Sequence, residues 1–204
     1  MFKFARSSIY ACLLGICIFT GLSGCKQQAT EEKFLATDIS NADFGKDFRL
    51  TDHHGKLRTL ADFRGKAVVM FFGYTHCPDV CPTTLSDMAL ALNQLGADAN
   101  KVQVLFVTVD PERDTQTLLA NYVPAFNPDF LGLYGDEAAT ASVAKEFRVF
   151  YHKNQGKNSQ SYNVDHTAGS FVFDPTGKLR LFMSYGVSAE NIAHDLRALL
   201  TATH

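Results

Sequence analysis

The six-residue run Ala67-Val68-Val69-Met70-Phe71-Phe72 carries no polar side chain and is followed at once by Gly73 and two cysteines, Cys77 and Cys81. A short apolar run rich in β-branched and aromatic residues reads as a strand buried on both faces. Pro82 suits the first turn of a helix, where a missing N–H costs nothing. Beyond it, Leu85, Met88, Leu92 and Leu95 recur at spacings of three and four and mark one apolar helix face. The two sulfurs, spaced C-x-x-x-C, therefore belong to a strand–loop–helix junction. A helix N-terminus favours the thiolate, which is both the nucleophile and the metal ligand.

The first 24 residues read as a leader rather than as part of the fold. Lys3 and Arg6 form a positive start, and Ile9–Leu22 is an apolar stretch of 14 residues. That is short of the roughly 20 residues a membrane span needs, and right for a secretory signal. Leu22-Ser23-Gly24-Cys25 resembles the cleavage site of bacterial lipoproteins, which implies a lipid on Cys25. The expected organisation is a signal peptide over 1–24, a polar membrane tether over 25–42 and one domain over 43–204. The domain would then work outside the cytoplasm, on the periplasmic side of a bacterial membrane.

This organisation changes the cysteine count. Of five cysteines, Cys12 and Cys17 leave with the leader and Cys25 is blocked. Cys77 and Cys81 remain, in an oxidising compartment. A disulfide across three residues would constrain little of the unfolded chain, so a catalytic or metal-binding pair is the better reading.

The chain has 19 basic and 21 acidic side chains, and loss of Lys3 and Arg6 leaves the remainder acidic by about four. No basic stripe appears, which argues against nucleic acid as a partner. Phe48–Thr51 and Lys56–Thr59 flank the turn Asp52-His53-His54-Gly55, a hairpin signal. After the Pro82–Leu95 helix come a strand at Val102–Val109, the turn Asp110–Asp114 and a helix to about Ala125. A strand at Leu131–Tyr134 and a helix from Asp136 to about Arg148 follow. Lys153–Gln160 is polar and reads as an exposed loop. Ser170–Phe173 and Lys178–Ser184 around Asp174-Pro175-Thr176-Gly177 form a last hairpin, and Ser188 caps a final helix. This order indicates an α/β, thioredoxin-like sandwich: a mixed sheet flanked by helices, with an N-terminal β-hairpin.

Oxidoreductases of that fold carry a proline before the last hairpin, packed against the cysteines. Here the place reads Val164-Asp165-His166-Thr167-Ala168-Gly169-Ser170, and His166 stands where a group would approach the sulfurs. Two thiolates and an imidazole form a soft, three-coordinate set that suits copper.

The segment Gly73-Tyr74-Thr75-His76-Cys77-Pro78-Asp79-Val80-Cys81-Pro82 resembles the signature of the SCO/SenC family of copper-handling proteins. Val109–Thr115, Val164–Thr167 and Phe173–Gly177 match it too, in order. The resemblance spans about Phe44 to Leu200. It implies one copper ion, Cu(I) or Cu(II), on Cys77, Cys81 and His166. It also implies delivery to the copper-site subunit of a respiratory oxidase, with a copper donor or thiol reductant upstream. The alternative is a thiol-disulfide oxidoreductase working through a reversible Cys77–Cys81 disulfide, on the same oxidase cysteines. A peroxidase fits less well, because Tyr74 stands where such enzymes place a threonine. His76, Asp79 and Asp110 are expected near the ligands without binding the metal. His53 and His54 are expected in solvent, and Tyr74 and Phe150-Tyr151 are candidates for an apolar rim.

Overall fold

The run Ala67–Gly73 is buried at every residue and forms the centre of a sheet. A computed structural model describes residues 34–156 and 161–202; the leader and the expected lipid site at Cys25 lie outside them. In chain order the strands are β1 (Thr37–Asp38), β2 (Leu50–Asp52), β3 (Leu57–Arg58), β4 (Ala67–Gly73) and β5 (Val102–Thr108). They continue as β6 (Leu131–Tyr134), β7 (Tyr151–Gln155), β8 (Tyr162–His166), β9 (Ser170–Phe173) and β10 (Leu179–Met183). The α-helices are α1 (Val80–Leu95), α2 (Gln116–Tyr122), α3 (Glu137–Glu146) and α4 (Ala189–Thr201).

Eight strands form one sheet in the order β1-β10-β9-β4-β5-β6-β2-β3, and β7 and β8 form a separate ribbon. β4 and β5 run parallel, as do β5 and β6, while β9 lies antiparallel to β4 on its other side. Parallel strands covered on both faces need no polar alternation, which is why β4 and β5 read as continuous apolar runs. Phe71, Phe72, Phe106, Phe147 and Phe173 fill the core around them. The mixed α/β sandwich is the architecture expected. Leu50↔Arg58 and Thr51↔Leu57 pair as the N-terminal hairpin, and the Ser188 hydroxyl accepts from the Asn191 amide at the start of α4.

Three expectations need correcting. The tether expected over 25–42 does not extend that far: Thr37 and Asp38 pair with Phe182 and Leu181 at the edge of the sheet. The amides of Leu35 and Ala36 donate to the buried carboxylate of Asp195 on α4. Both β1 residues are exposed, so no apolar alternation announces the strand. Lys153–Gln155, expected in a loop, belong to β7, paired from Tyr151↔His166 to Gln155↔Tyr162; residues 157–160 lie outside the described set. His53, expected in solvent, is buried, and its Nδ1 accepts from the Gly132 amide at 2.9 Å. The hairpin turn folds back against β6, which a one-dimensional turn signal does not report.

Candidate metal centre

Gly73 closes β4 and makes the site possible. A Cβ there would lie 2.7 Å from Cys81 Sγ and 2.8 Å from the Phe106 ring. The strand can therefore end directly against the thiol only because residue 73 has no side chain. Asp79 stands at the N-cap of α1, without a side-chain bond to the helix amides, and Cys81 lies in the first turn. Cys77 precedes it in the loop, half-buried, and its sulfur accepts from the Cys81 amide at 3.4 Å.

His166 ends β8. Its Nδ1 lies 3.0 Å from the Thr167 carbonyl oxygen. A carbonyl only accepts, so Nδ1 carries the proton and Nε2 presents its lone pair. That Nε2 lies 3.5 Å from Cys81 Sγ, and in the metal-free state the thiol donates to it. The rings of Phe71 and Tyr74 meet the imidazole edge-on, each with its centroid 6.0 Å away. One donor atom from each of Cys77, Cys81 and His166 lies within 4.8 Å of the others, the only such triad among the described residues. Donation of the second histidine nitrogen to a backbone carbonyl is the usual way to fix a ligating imidazole.

Burial dominates the electrostatics. It pushes the fully buried Cys81 thiol well above the ordinary range, and the neighbouring Cys77 adds to the effect. Desolvation therefore overrides the helix N-terminus, which alone would favour the thiolate. The same burial lowers the pKa of His166, against the opposing bond to Thr167, and keeps the imidazole neutral near pH 7. A neutral imidazole can ligate without first losing a proton; Cys81 cannot.

None of the three residues expected beside the ligands joins the triad. His76 is exposed, with Nδ1 3.1 Å from Thr75 Oγ1, and is absent from the triad. Asp79 is exposed and accepts only a long bond from the Thr83 hydroxyl, at 3.4 Å. Asp110 is buried but bonds Tyr162 and Arg113 rather than a ligand. Tyr74, a candidate for the rim, is buried core; Phe150 is 66 % exposed.

Asp114 was not singled out from the sequence. It accepts from the Thr75 amide at 3.0 Å, the Thr75 hydroxyl at 2.6 Å and the Thr108 hydroxyl at 2.6 Å. The loop that leads to Cys77 is thereby tied to the end of β5. Burial nevertheless raises the Asp114 pKa, outweighing those three donors. Its place in the Asp110–Asp114 turn, already prominent as a motif, was the available signal.

The SCO1/SenC family model matches residues 36–201. The bovine mitochondrial SCO2 homolog is 40% identical over 182 residues, 88% of this chain and 66% of the relative. The human mitochondrial SCO1 homolog is 34% identical over 195 residues, 90% of this chain and 64% of the relative. The chain thus spans just under two thirds of the length of these relatives. Among solved structures, copper-bound ScoI of Bradyrhizobium japonicum superposes with a TM-score of 0.71 at 41% identity, covering 77% of this chain and 99% of that one. Apo Sco1 of Thermus thermophilus gives 0.74 at 42% identity, covering 83% and 98%. The thioredoxin-like fold, the motifs around both cysteines and His166, and a family match over most of the sequence lead to one conclusion: the chain belongs to the SCO1/SenC family.

Proposed function

We propose that this protein is an extracytoplasmic copper carrier that holds one ion on Cys77, Cys81 and His166 and hands it to the copper-site subunit of a respiratory oxidase. The observation that carries this reading is the convergence of three soft and borderline donor atoms within 4.8 Å. Thiolate favours Cu(I), and imidazole accepts either oxidation state. The copper-bound ScoI relative supports the choice of metal.

The protonation states suggest how the ion is held and released. Copper must displace the proton of the Cys81 thiol, so uptake releases protons and weakens as the pH falls. Three ligands leave a position open, where an incoming thiolate from the acceptor can attack the metal. Oxidation of Cys77 and Cys81 to a disulfide would remove two ligands at once, so loading depends on a reductant. Export by a leader over 1–24, followed by a lipid on Cys25, would place the domain at the membrane surface where the acceptor lies. The oxidoreductase alternative draws less support, because Cys81 is buried and its thiol is held protonated.

A deletion strain grown at limiting copper tests the proposal. Copper-oxidase activity should be lost, and should return with added copper or with the intact gene. Genes carrying Cys77→Ser, Cys81→Ser or His166→Ala should not restore it. Normal oxidase activity in the deletion strain at limiting copper would refute the carrier role.

A further inference from the structure

The two halves of the site come from segments with different supports. The cysteines sit at the junction of β4 and α1, Cys77 in the loop and Cys81 in the first turn of the helix, beside the central strand of the large sheet. His166 ends a two-stranded ribbon that lies outside that sheet. An isolated two-stranded hairpin is marginally stable in water, so side-chain contacts must fix where this one points.

Those contacts converge on one residue. Arg113 Nε donates to Asp110 Oδ2 at 2.5 Å, and its Nη1 donates to the Tyr162 carbonyl at 3.0 Å. The guanidinium also covers the Tyr162 ring, 3.6 Å from its centroid. The Tyr162 hydroxyl closes the circuit by donating to Asp110 Oδ1 at 2.6 Å. Lys153 on β7 pairs with Glu112 at 2.8 Å, so both ribbon strands are held. The turn that grips the ribbon also grips the cysteine loop, through Asp114 and Thr75.

The geometry of a strand makes this grip matter at the metal. Tyr162, Val164 and His166 alternate with the exposed Asn163 and Asp165, so they share the inward face. Four residues of strand span about 14 Å, so a small tilt at Tyr162 is carried along to His166. We infer that Arg113 is a positioning residue for His166: by clamping Tyr162 onto the Asp110–Asp114 turn, it sets the imidazole at the reach needed to close on a metal held by the cysteines. This rests on the copper-site reading above. Lysine cannot replace it, because an ammonium has three donors but no planar face to lie on the Tyr162 ring while its donors reach Asp110 and the Tyr162 carbonyl.

The test uses the reduced full-length protein in detergent, with Arg113→Ala, Arg113→Lys, Tyr162→Phe, His166→Ala and the double variant Arg113→Ala/His166→Ala. Anaerobic Cu(I) titrations should show Arg113→Ala binding about tenfold more weakly than the parent, with Arg113→Lys close behind and Tyr162→Phe less affected. The double variant should match His166→Ala within about twofold, since what Arg113 contributes passes through the imidazole. In the metal-free protein, amide exchange should accelerate over residues 162–166 and stay unchanged in β4 and α1. Unchanged affinity in Arg113→Ala, or an equal further loss on the His166→Ala background, would overturn the assignment. So would exchange accelerated across the whole chain. Should Arg113→Ala fail to fold, Arg113→Lys and Tyr162→Phe face the same comparison. A parent protein that takes up no copper would remove the carrier reading, and ribbon exchange together with the His166 imidazole NMR shifts would then decide the clamp alone.

Discussion

Gly73 shows how much one absent side chain decides. A methyl group at that position runs into both a thiol and an aromatic ring, and neither neighbour is the free end of a flexible side chain. Gly73→Ala should therefore cost about 1–3 kcal/mol of stability through overpacking. Urea unfolding of the reduced protein would show a lower midpoint with the slope unchanged; an unshifted midpoint would mean that the strand end yields freely. The ligands themselves were legible, because cysteine and histidine in this order match a motif of known chemistry. The supporting residues were not. Asp110 was expected beside the ligands and instead anchors Tyr162 and Arg113, 52 and 3 residues away in sequence. A carboxylate at a strand end has several possible partners, and only the fold selects among them.

Among the elements, the β7–β8 ribbon was the least legible. It leaves alternate residues exposed, and its Lys, Asn and Gln residues have poor strand propensity. A polar run of that kind looks like loop until its pairing partner is known. The long apolar strands β4 and β5 and the capped helix α4 were read correctly, since burial leaves a dense pattern where pairing at an edge leaves almost none. The connection between β5 and α2 carries its own test. Asp114→Ala would strip three donors of their shared acceptor. Each buried group left unpaired costs about 1–3 kcal/mol, so the variant should lose several kcal/mol in a denaturant titration. Asp114→Asn, which keeps one acceptor oxygen, should lose less. Equal stability of Asp114→Ala and the parent would show that the cysteine loop does not depend on this anchor.

For the whole molecule, two buried carboxylates set the response to acid. Burial alone would raise the Asp52 pKa, but the Arg58 guanidinium and the Lys56 and His54 amides overcome it and leave the carboxyl below its usual range. Asp174 is lowered in the same way, by the Thr176 hydroxyl, the Lys178 and Thr176 amides and Arg180. A depressed carboxylate contributes stability above its unfolded value and loses it as pH falls through the folded one. Unfolding free energy should therefore decline below about pH 4, by up to about 1.4 kcal/mol per pH unit for each group. Asp52→Asn should be less stable at neutral pH and show a shallower acid slope; an unchanged slope would mean that Asp52 titrates normally. Asp114, with its raised pKa, acts in the opposite direction. The proposed lipid anchor is testable at the same scale: Cys25→Ser should abolish labelling by radioactive palmitate and release the protein from membranes. Retained labelling would place the lipid elsewhere. No helix among the described residues is long and apolar enough to cross a membrane.

The three-ligand site is tested most directly by an anaerobic Cu(I) titration of the reduced protein beside His166→Ala. The expected result is one tightly held ion per chain, weakened at least about tenfold in the variant, or about 1.4 kcal/mol. Equal binding by the two proteins would mean that the cysteines alone hold the metal and that His166 is not a ligand.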